Sequence, residues 1–143
     1  MIQLPKKIYD AMITHAKSGY PNEACGILAG PKLGVASVFF PMRNMDESSI
    51  SYFMDPKEQL KIFKKLREMK LEMVGIFHSH VASEASPSQK DIRLAFYPEV
   101  SYLIVSLSQM ENPVLHSFKI TPPSLGGGVQ DEKVFKEDIQ IVD

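Results

Sequence analysis

Cysteine and tryptophan are scarce in this sequence: of its 143 residues one is a cysteine, Cys25, and none is a tryptophan. A single cysteine excludes a disulfide within the chain and any zinc or iron–sulfur site built from several cysteines. No apolar run approaches the ~20 residues that a membrane helix requires, and the first residues hold no apolar stretch long enough for a secretion signal. We therefore expect a protein without a membrane span, located in the cytoplasm.

An excess of charge of either sign is also missing. Sixteen lysines and arginines stand against 17 aspartates and glutamates, for a formal net charge of −1. This balance argues against a nucleic-acid binder, which needs clustered positive charge. The length and the 44% of hydrophobic residues fit one globular domain over residues 1–143, with a core at about 5–120 and a C-terminal tail at 121–143. The sequence leaves open whether the chain forms a homo-oligomer.

Hydrophobic periodicity predicts helices and strands that alternate through the middle of the chain. The helices are predicted at residues 5–18, from Asp55-Pro56 to Met69 and from Ser86 to Pro98, and the strands at 24–30, 34–41, 73–77, 102–107, 114–120 and 134–142. Residues 42–51 are a predicted loop, and Gly126-Gly127-Gly128 is a predicted hinge. The pattern indicates an α/β or α+β protein in which helices flank one mixed sheet.

The most informative segment is His78-Ser79-His80, at the end of a predicted strand. Side chains two residues apart on a strand point to the same face, so His78 and His80 can share one metal ion. Asp91 follows eleven residues after His80, one turn into the third predicted helix, and a loop of that length can return it to the strand end. Two histidines and a carboxylate suit Zn²⁺ with one position open for water, which is the pattern of a catalytic metal.

A simpler interpretation exists for several of these residues. Both Ser88-x-x-Asp91 and Ser86-x-x-Gln89 fit a helix capping box, so each serine taken alone is expected to cap the helix. His15 and His116 each lie in an apolar pattern without a partner, and we expect them to be packed or to face solvent. Only the combination of His-x-His with Ser-x-x-Asp favours a metal site.

That combination resembles a known motif. His78-Ser79-His80, seven residues, Ser88, two residues and Asp91 together resemble the signature of the JAMM, or MPN-plus, metallopeptidases. Glu23, in the run Pro21-Asn22-Glu23-Ala24-Cys25-Gly26-Ile27-Leu28, stands where this family has its glutamate. The resemblance extends from Glu23 to about Leu107. Val81 departs from it, because family members commonly have proline after the second histidine.

The resemblance implies a three-layer α/β sandwich in which helices flank a curved mixed β-sheet, as in the zinc deaminases. It also implies peptide or isopeptide hydrolysis by water that one zinc ion per chain activates. In that scheme His78, His80 and Asp91 hold the zinc, and Glu23 acts first as general base and then as general acid. Ser88 donates its hydroxyl to the oxyanion of the tetrahedral intermediate.

Without the resemblance, the residues upstream of the histidines have ordinary interpretations. Glu23 fits a carboxylate favoured by a helix dipole. Cys25 fits a small buried apolar side chain, because no basic residue stands beside it to stabilise a thiolate.

The resemblance also implies a substrate class. Small members of the family that resemble this chain process ubiquitin-like or sulfur-carrier proteins by cutting after a C-terminal Gly-Gly. Such an extended tail can add as a strand to a sheet edge. The polar segment Asn44 to Ser51 is a candidate cover for the site.

Two alternatives remain open at this stage. One is a zinc hydrolase of small-molecule amides, and the other is a binding module on the same fold that uses no metal. The second expects a ligand position to be lost, and none is lost here. A deaminase is disfavoured because those enzymes use a cysteine-rich ligand set.

Overall fold

The computed structural model describes residues 1–122 and 133–143. The predicted glycine hinge lies outside these residues. The elements in chain order are β1 (Ile2–Pro5), α1 (Lys6–Gly19), β2 (Cys25–Gly30), β3 (Val38–Met42), α2 (Pro56–Met69), β4 (Glu72–His80), α3 (Gln89–Arg93), β5 (Ser101–Ser106), β6 (Val114–Thr121), β7 (Lys133–Glu137) and β8 (Ile139–Val142). No described helix has both the length and the apolar character needed to cross a bilayer.

Six strands form one mixed sheet in the order β3-β2-β4-β5-β6-β7. Strands β4 and β5 are parallel, and every other neighbouring pair in this sheet is antiparallel. Strands β1 and β8 form a separate parallel pair. The structure confirms the predicted mixed sheet.

Helices cover both faces of the sheet, because side chains alternate between the faces along each strand. On one face α1 packs Ile8 and Met12 against Leu28 and Leu103. On the other face lie α2, α3 and the chain segments that precede them, packed against alternate residues of the same strands. This second face holds the buried residues Cys25, Ile27, Met54, Ile92, Tyr102, Ile104 and Phe118. The resulting three layers confirm the predicted α/β sandwich.

The third helix is much shorter than predicted. It spans Gln89–Arg93 rather than Ser86 to Pro98, and Phe96, beyond its end, is 68% exposed. Proline disfavours helical backbone at the residue before it, which here is Tyr97. The N–H of Tyr97 instead donates to the hydroxyl of Tyr102 at 3.0 Å.

The two ends of the chain also differ from the prediction. The single strand expected at 134–142 is two strands, of which β7 pairs with β6 and β8 pairs with β1. Strand β1 was not predicted, and Pro5 ends it and caps α1 rather than lying in the first turn of the helix. The strand expected at 34–41 forms only over Val38–Met42, after a turn in which Gly34 has a φ of +84°.

His15 and His116 are both half-buried, and each lies within hydrogen-bond distance of a backbone carbonyl. The Nε2 atom of His15 lies 2.9 Å from the carbonyl oxygen of Cys25. The Nδ1 atom of His116 lies 3.2 Å from the carbonyl oxygen of Ala85. Each ring also packs edge-on against a phenylalanine, Phe39 for His15 and Phe118 for His116. The local sequence does not show the two carbonyl groups, because both come from other segments of the chain.

Candidate active site

The site lies at the end of β4, on the face of the sheet that α2 and α3 cover. His78 and His80 are both buried there, and their Nε2 atoms are 3.1 Å apart. The strand continues through both histidines, so its two-residue period points both rings the same way. The structure thus brings the two imidazoles together at the place that the spacing indicated.

Asp91 completes a cluster of three. Its Oδ2 atom lies 3.1 Å from the Nε2 atom of His78 and 3.1 Å from that of His80. The same oxygen accepts the backbone N–H of Ser88 at 2.9 Å, while the Ser88 hydroxyl oxygen accepts the N–H of Asp91 at 3.1 Å. The capping box is therefore present, and it also fixes the carboxylate against the histidines. Ser86 and Gln89 form no such box.

A backbone carbonyl fixes the protonation of His80. The Nδ1 atom of His80 lies 2.7 Å from the carbonyl oxygen of Glu84. A carbonyl oxygen can only accept, so Nδ1 carries the hydrogen and Nε2 of the neutral ring presents a lone pair. This lone pair faces the same point as Oδ2 of Asp91. Second partners of this kind are typical of histidines that bind metals.

His78 is held in a different way. Its Nδ1 atom is buried and has no hydrogen-bond partner within the described ranges. The aromatic ring of Tyr52 stacks on its imidazole instead, with ring centroids 4.5 Å apart and an angle of 23° between the planes. Stacking and burial therefore set the orientation of this ring.

Burial and hydrogen bonding shift the pKa values of the three cluster residues in opposite directions. Burial lowers the pKa of His78 below its usual value. Burial alone would raise the pKa of Asp91, but hydrogen bonds with the two imidazoles hold that pKa well below its usual range. Burial also acts to lower the pKa of His80. The protonated ring, however, donates from Nε2 to Asp91 and from Nδ1 to the Glu84 carbonyl, and these bonds raise that pKa overall. Asp91 is therefore ionised at neutral pH and supplies a negative charge at the centre of the cluster.

Glu23 reaches the site through the register of two antiparallel strands. Cys25 of β2 pairs with His78 of β4. The pairing continues one residue beyond the strand, because the N–H of Ser79 donates to the carbonyl of Ala24 at 2.9 Å. One further residue places Glu23 opposite His80 and on the same face of the sheet.

The carboxylate of Glu23 is buried, with 6% of the residue exposed. Its Oε1 atom makes no hydrogen bond to any residue that the structure describes. Burial raises the pKa of Glu23 to about 7, although the neighbouring His80 acts to lower it. A carboxyl group that titrates near neutral pH is suited to proton transfer.

The segment that leads into α2 holds Glu23 in place. The side-chain amide of Asn44 donates to the carbonyl of Glu23 at 2.9 Å and to that of Ser51 at 3.0 Å. The N–H of Glu23 donates to the carbonyl of Ser48 at 2.8 Å. Sequence reasoning predicted this polar segment as loop and as a candidate cover, and it missed the roles of Asn44 and Tyr52. Asn44 had a weak signal, since asparagine commonly organises loops through its side chain.

Two further predicted residues, Ser88 and Cys25, border the cluster without a side-chain hydrogen bond to His78, His80 or the Asp91 carboxylate. Ser88 is exposed at the start of α3, where its hydroxyl oxygen already accepts one hydrogen bond. Cys25 is fully buried, and burial raises the pKa of its thiol to about 12. Cys25 therefore remains an uncharged thiol, as the sequence indicated.

A family model for the prokaryotic homologs of the JAB domain matches residues 5–121. The chain belongs to this family. The resemblance that the motif indicated is thereby confirmed.

Curated relatives of similar sequence include peptidases. The "CysO-cysteine peptidase" of Mycobacterium tuberculosis is 37% identical over 128 residues, which are 89% of this chain and 85% of the mycobacterial protein. The "Probable TtuB-protein conjugate cleaving protease" of Thermus thermophilus is 30% identical over 105 residues, 73% of this chain and 69% of that protein.

Solved structures share the fold. Protein DSY2949 from Desulfitobacterium hafniense is 41% identical with a TM-score of 0.84, covering 100% of this chain and 94% of that one. A structure described as a JAMM metalloprotease-like zinc site in the proteasome and signalosome is 16% identical with a TM-score of 0.60, covering 100% of this chain and 99% of that one. The second likeness shows the fold alone, and it confirms the JAMM/MPN architecture expected from the resemblance.

The burial of Glu23 makes stability depend on pH in the metal-free protein. Its pKa is about 7 when folded and near the ordinary 4.5 when unfolded, so between these values only the folded state holds the proton. As pH rises from 4.5 to above 7, the free energy of unfolding therefore falls by at most about 3 kcal/mol. Glu23→Gln removes this loss, and we expect the metal-free variant to be more stable than the wild type at pH 8 but not at pH 4.

Urea denaturation of the metal-free proteins at both pH values measures this difference. Glu68→Gln, which changes an exposed glutamate of α2, is the matched control and should follow the wild type. If the free energies of unfolding of the wild type and Glu23→Gln differ by the same amount at pH 4 and pH 8, the assigned burial of Glu23 is contradicted.

Proposed function

We propose that this chain is a zinc-dependent metallopeptidase that hydrolyses the amide bond after the C-terminal Gly-Gly of a ubiquitin-like or sulfur-carrier protein. The observation that carries the proposal is the cluster of His78, His80 and Asp91, with the buried carboxylate of Glu23 directed to the same face. The names of the relatives support the substrate class, because they describe cleavage of a CysO–cysteine substrate and of TtuB–protein conjugates.

The donor atoms fit a zinc ion. Nitrogen and oxygen ligands about 2.0–2.1 Å from zinc lie roughly 3.3 Å apart at the tetrahedral angle. The three donor atoms of His78, His80 and Asp91 are 3.1 Å from one another, so an ion fits with little movement. Among the described residues the cluster has three members, whereas structural zinc sites are closed by four ligands. The donor set therefore favours one zinc per chain with an open position.

Each residue then has a distinct task. When bound, the zinc would act as a Lewis acid and lower the pKa of a water molecule toward ~7. Glu23 accepts the proton of the attacking water and returns it to the leaving amine, because its buried carboxylate is directed to the same face as the cluster. Ser88 accepts within the capping box through its oxygen, so its hydroxyl hydrogen remains available to the oxyanion of the tetrahedral intermediate.

The substrate proposal follows from the shape of a Gly-Gly tail. Glycine has no side chain, so an extended pair of glycines passes a narrow approach to a buried cluster more easily than any other dipeptide. His78 and His80 are both buried, which makes such an approach necessary. The cytoplasmic location favoured by the sequence stays a prediction.

The first test measures metal binding. We expect the purified protein to hold one equivalent of zinc by elemental analysis, because three aligned donors are present. His78→Ala should lose the metal, since two donors remain, while Glu23→Gln should keep it, since Glu23 is not a ligand. Full occupancy in His78→Ala would contradict the ligand assignment.

The second test concerns the Tyr52 ring that stacks on His78. Groups that orient a metal-binding histidine typically contribute 10–100-fold to metal affinity. We expect Tyr52→Leu to weaken zinc binding by about that factor, and Tyr52→Phe, which keeps the ring, to bind within about threefold of the wild type. Competition with a chelator measures both. Equal weakening by the two variants would show that the hydroxyl matters rather than the stack.

The third test is cleavage of a carrier protein fused past its Gly-Gly. Removing a general base typically costs 10²–10⁴-fold, so Glu23→Gln should lose at least ~100-fold in kcat while retaining zinc. Ser88→Ala should lose about 10²–10³-fold, the usual effect of removing one oxyanion donor. Comparable turnover by Glu23→Gln would overturn the mechanism, and turnover of small amides without cleavage of the fusion would favour the small-molecule hydrolase.

A further inference from the structure

An apolar cavity of about 190 Å³ opens beside the metal-ligand cluster. Aromatic and aliphatic side chains from four separate segments line it, including Tyr52, Ile76, Leu94, Phe96 and Tyr102. Within the described part of the chain, Lys90 and Asp91 are the charged residues of its lining. The cavity is therefore built for an uncharged, apolar group.

The rim of this cavity exposes large apolar side chains. Leu94 is 49% exposed and Phe96 is 68% exposed. Each square ångström of apolar surface left in water costs about 25 cal/mol, so exposed groups gathered around one opening indicate a surface that a ligand covers. The early end of α3 is what turns these two side chains outward, instead of burying them on a helix face.

The cavity and the cluster share two walls. Tyr52 stacks on His78 and also lines the cavity. Asp91 belongs to both the cluster and the cavity lining. A molecule that places a side chain in the cavity therefore has its adjoining atoms beside the metal-ligand cluster.

The volume limits the occupant. An apolar cavity of roughly 150 Å³ accepts a benzene molecule, so about 190 Å³ accommodates one leucine or phenylalanine side chain. We propose that this cavity is a specificity subsite that binds one apolar side chain of the substrate, up to the size of a phenyl ring. This inference rests on the proposed peptidase function. Gly-Gly itself offers no side chain, so the occupant comes from the residue just before the two glycines or from the residue just after them.

Fusion substrates distinguish these two sources. Two series carry Leu, Phe, Ala or Asp, one at the position before Gly-Gly and the other at the position after it. A filled apolar subsite discriminates by about 10–200-fold, so we expect kcat/KM to fall by that factor from Leu or Phe to Ala in one series, and further for Asp. Efficient cleavage without preference in either series would overturn the proposal.

Variants at the rim test whether this cavity causes the preference for an apolar substrate residue. We expect Leu94→Asp to reduce the ratio of kcat/KM for the Leu and Ala substrates to less than about threefold, because a carboxylate at the opening disfavours an apolar occupant. Phe135→Asp is the matched control: Phe135 is 63% exposed on β7 and lies outside the cavity lining. An unchanged ratio in Leu94→Asp would contradict the assignment.

A binding measurement separates this inference from the proposed function. N-acetyl-leucinamide should cause saturable NMR shifts of the Ile76 and Leu94 methyl groups, and N-acetyl-aspartamide should not. If no Gly-Gly fusion is cleaved but the leucine probe binds in the wild type and not in Leu94→Asp, the substrate assignment fails and the apolar site stands. If the fusions are cleaved and the probe leaves these methyl groups unshifted, the site fails and the peptidase stands.

Discussion

Three electron-pair donors that face one point dominate this site. The Nε2 atoms of His78 and His80 and the Oδ2 atom of Asp91 are mutually 3.1 Å apart, and such an arrangement is repulsive unless a proton or a cation lies among them. The surrounding structure prevents the three groups from separating. The two-residue period of β4 points both histidines the same way. The carbonyl of Glu84 fixes the His80 ring, and the Tyr52 ring stacks on that of His78. The capping box at the start of α3 holds the Asp91 carboxylate.

The burial of Glu23 connects stability with chemistry. Removing this carboxylate from water destabilises its ionised form, and the same desolvation gives it a pKa near neutral. Folding tolerates the arrangement because the backbone of Glu23 is hydrogen-bonded on both sides, by Asn44 and by Ser48. The general-base candidate is therefore held through its main chain, while its Oε1 atom makes no hydrogen bond to the residues that the structure describes.

Sequence analysis predicted the structural features that depend on local sequence periodicity. Alternation along a strand was enough to place His78 beside His80. The capping pattern offered both Ser86 and Ser88 as the start of α3, and the structure has Ser88 as the N-cap. Glu23 was found only through the family resemblance, because its position beside His80 depends on the register between β2 and β4, which lie far apart along the chain. Tyr52 was missed for a similar reason, since a tyrosine in a loop gives no local sign of the ring it will stack on. Pairing of β8 with β1 likewise depends on contacts between the two ends of the chain.

The brevity of α3 couples two parts of the molecule. A helix of five residues has little stability of its own, so its order depends on what its first and last turns contact. Its first turn carries Asp91, and Leu94 at its C-cap stands at the mouth of the apolar cavity. If the proposed ion orders the first turn of α3, it also favours the observed position of Leu94. Thermodynamic linkage then requires a ligand in the cavity to raise the affinity for the ion by the same factor.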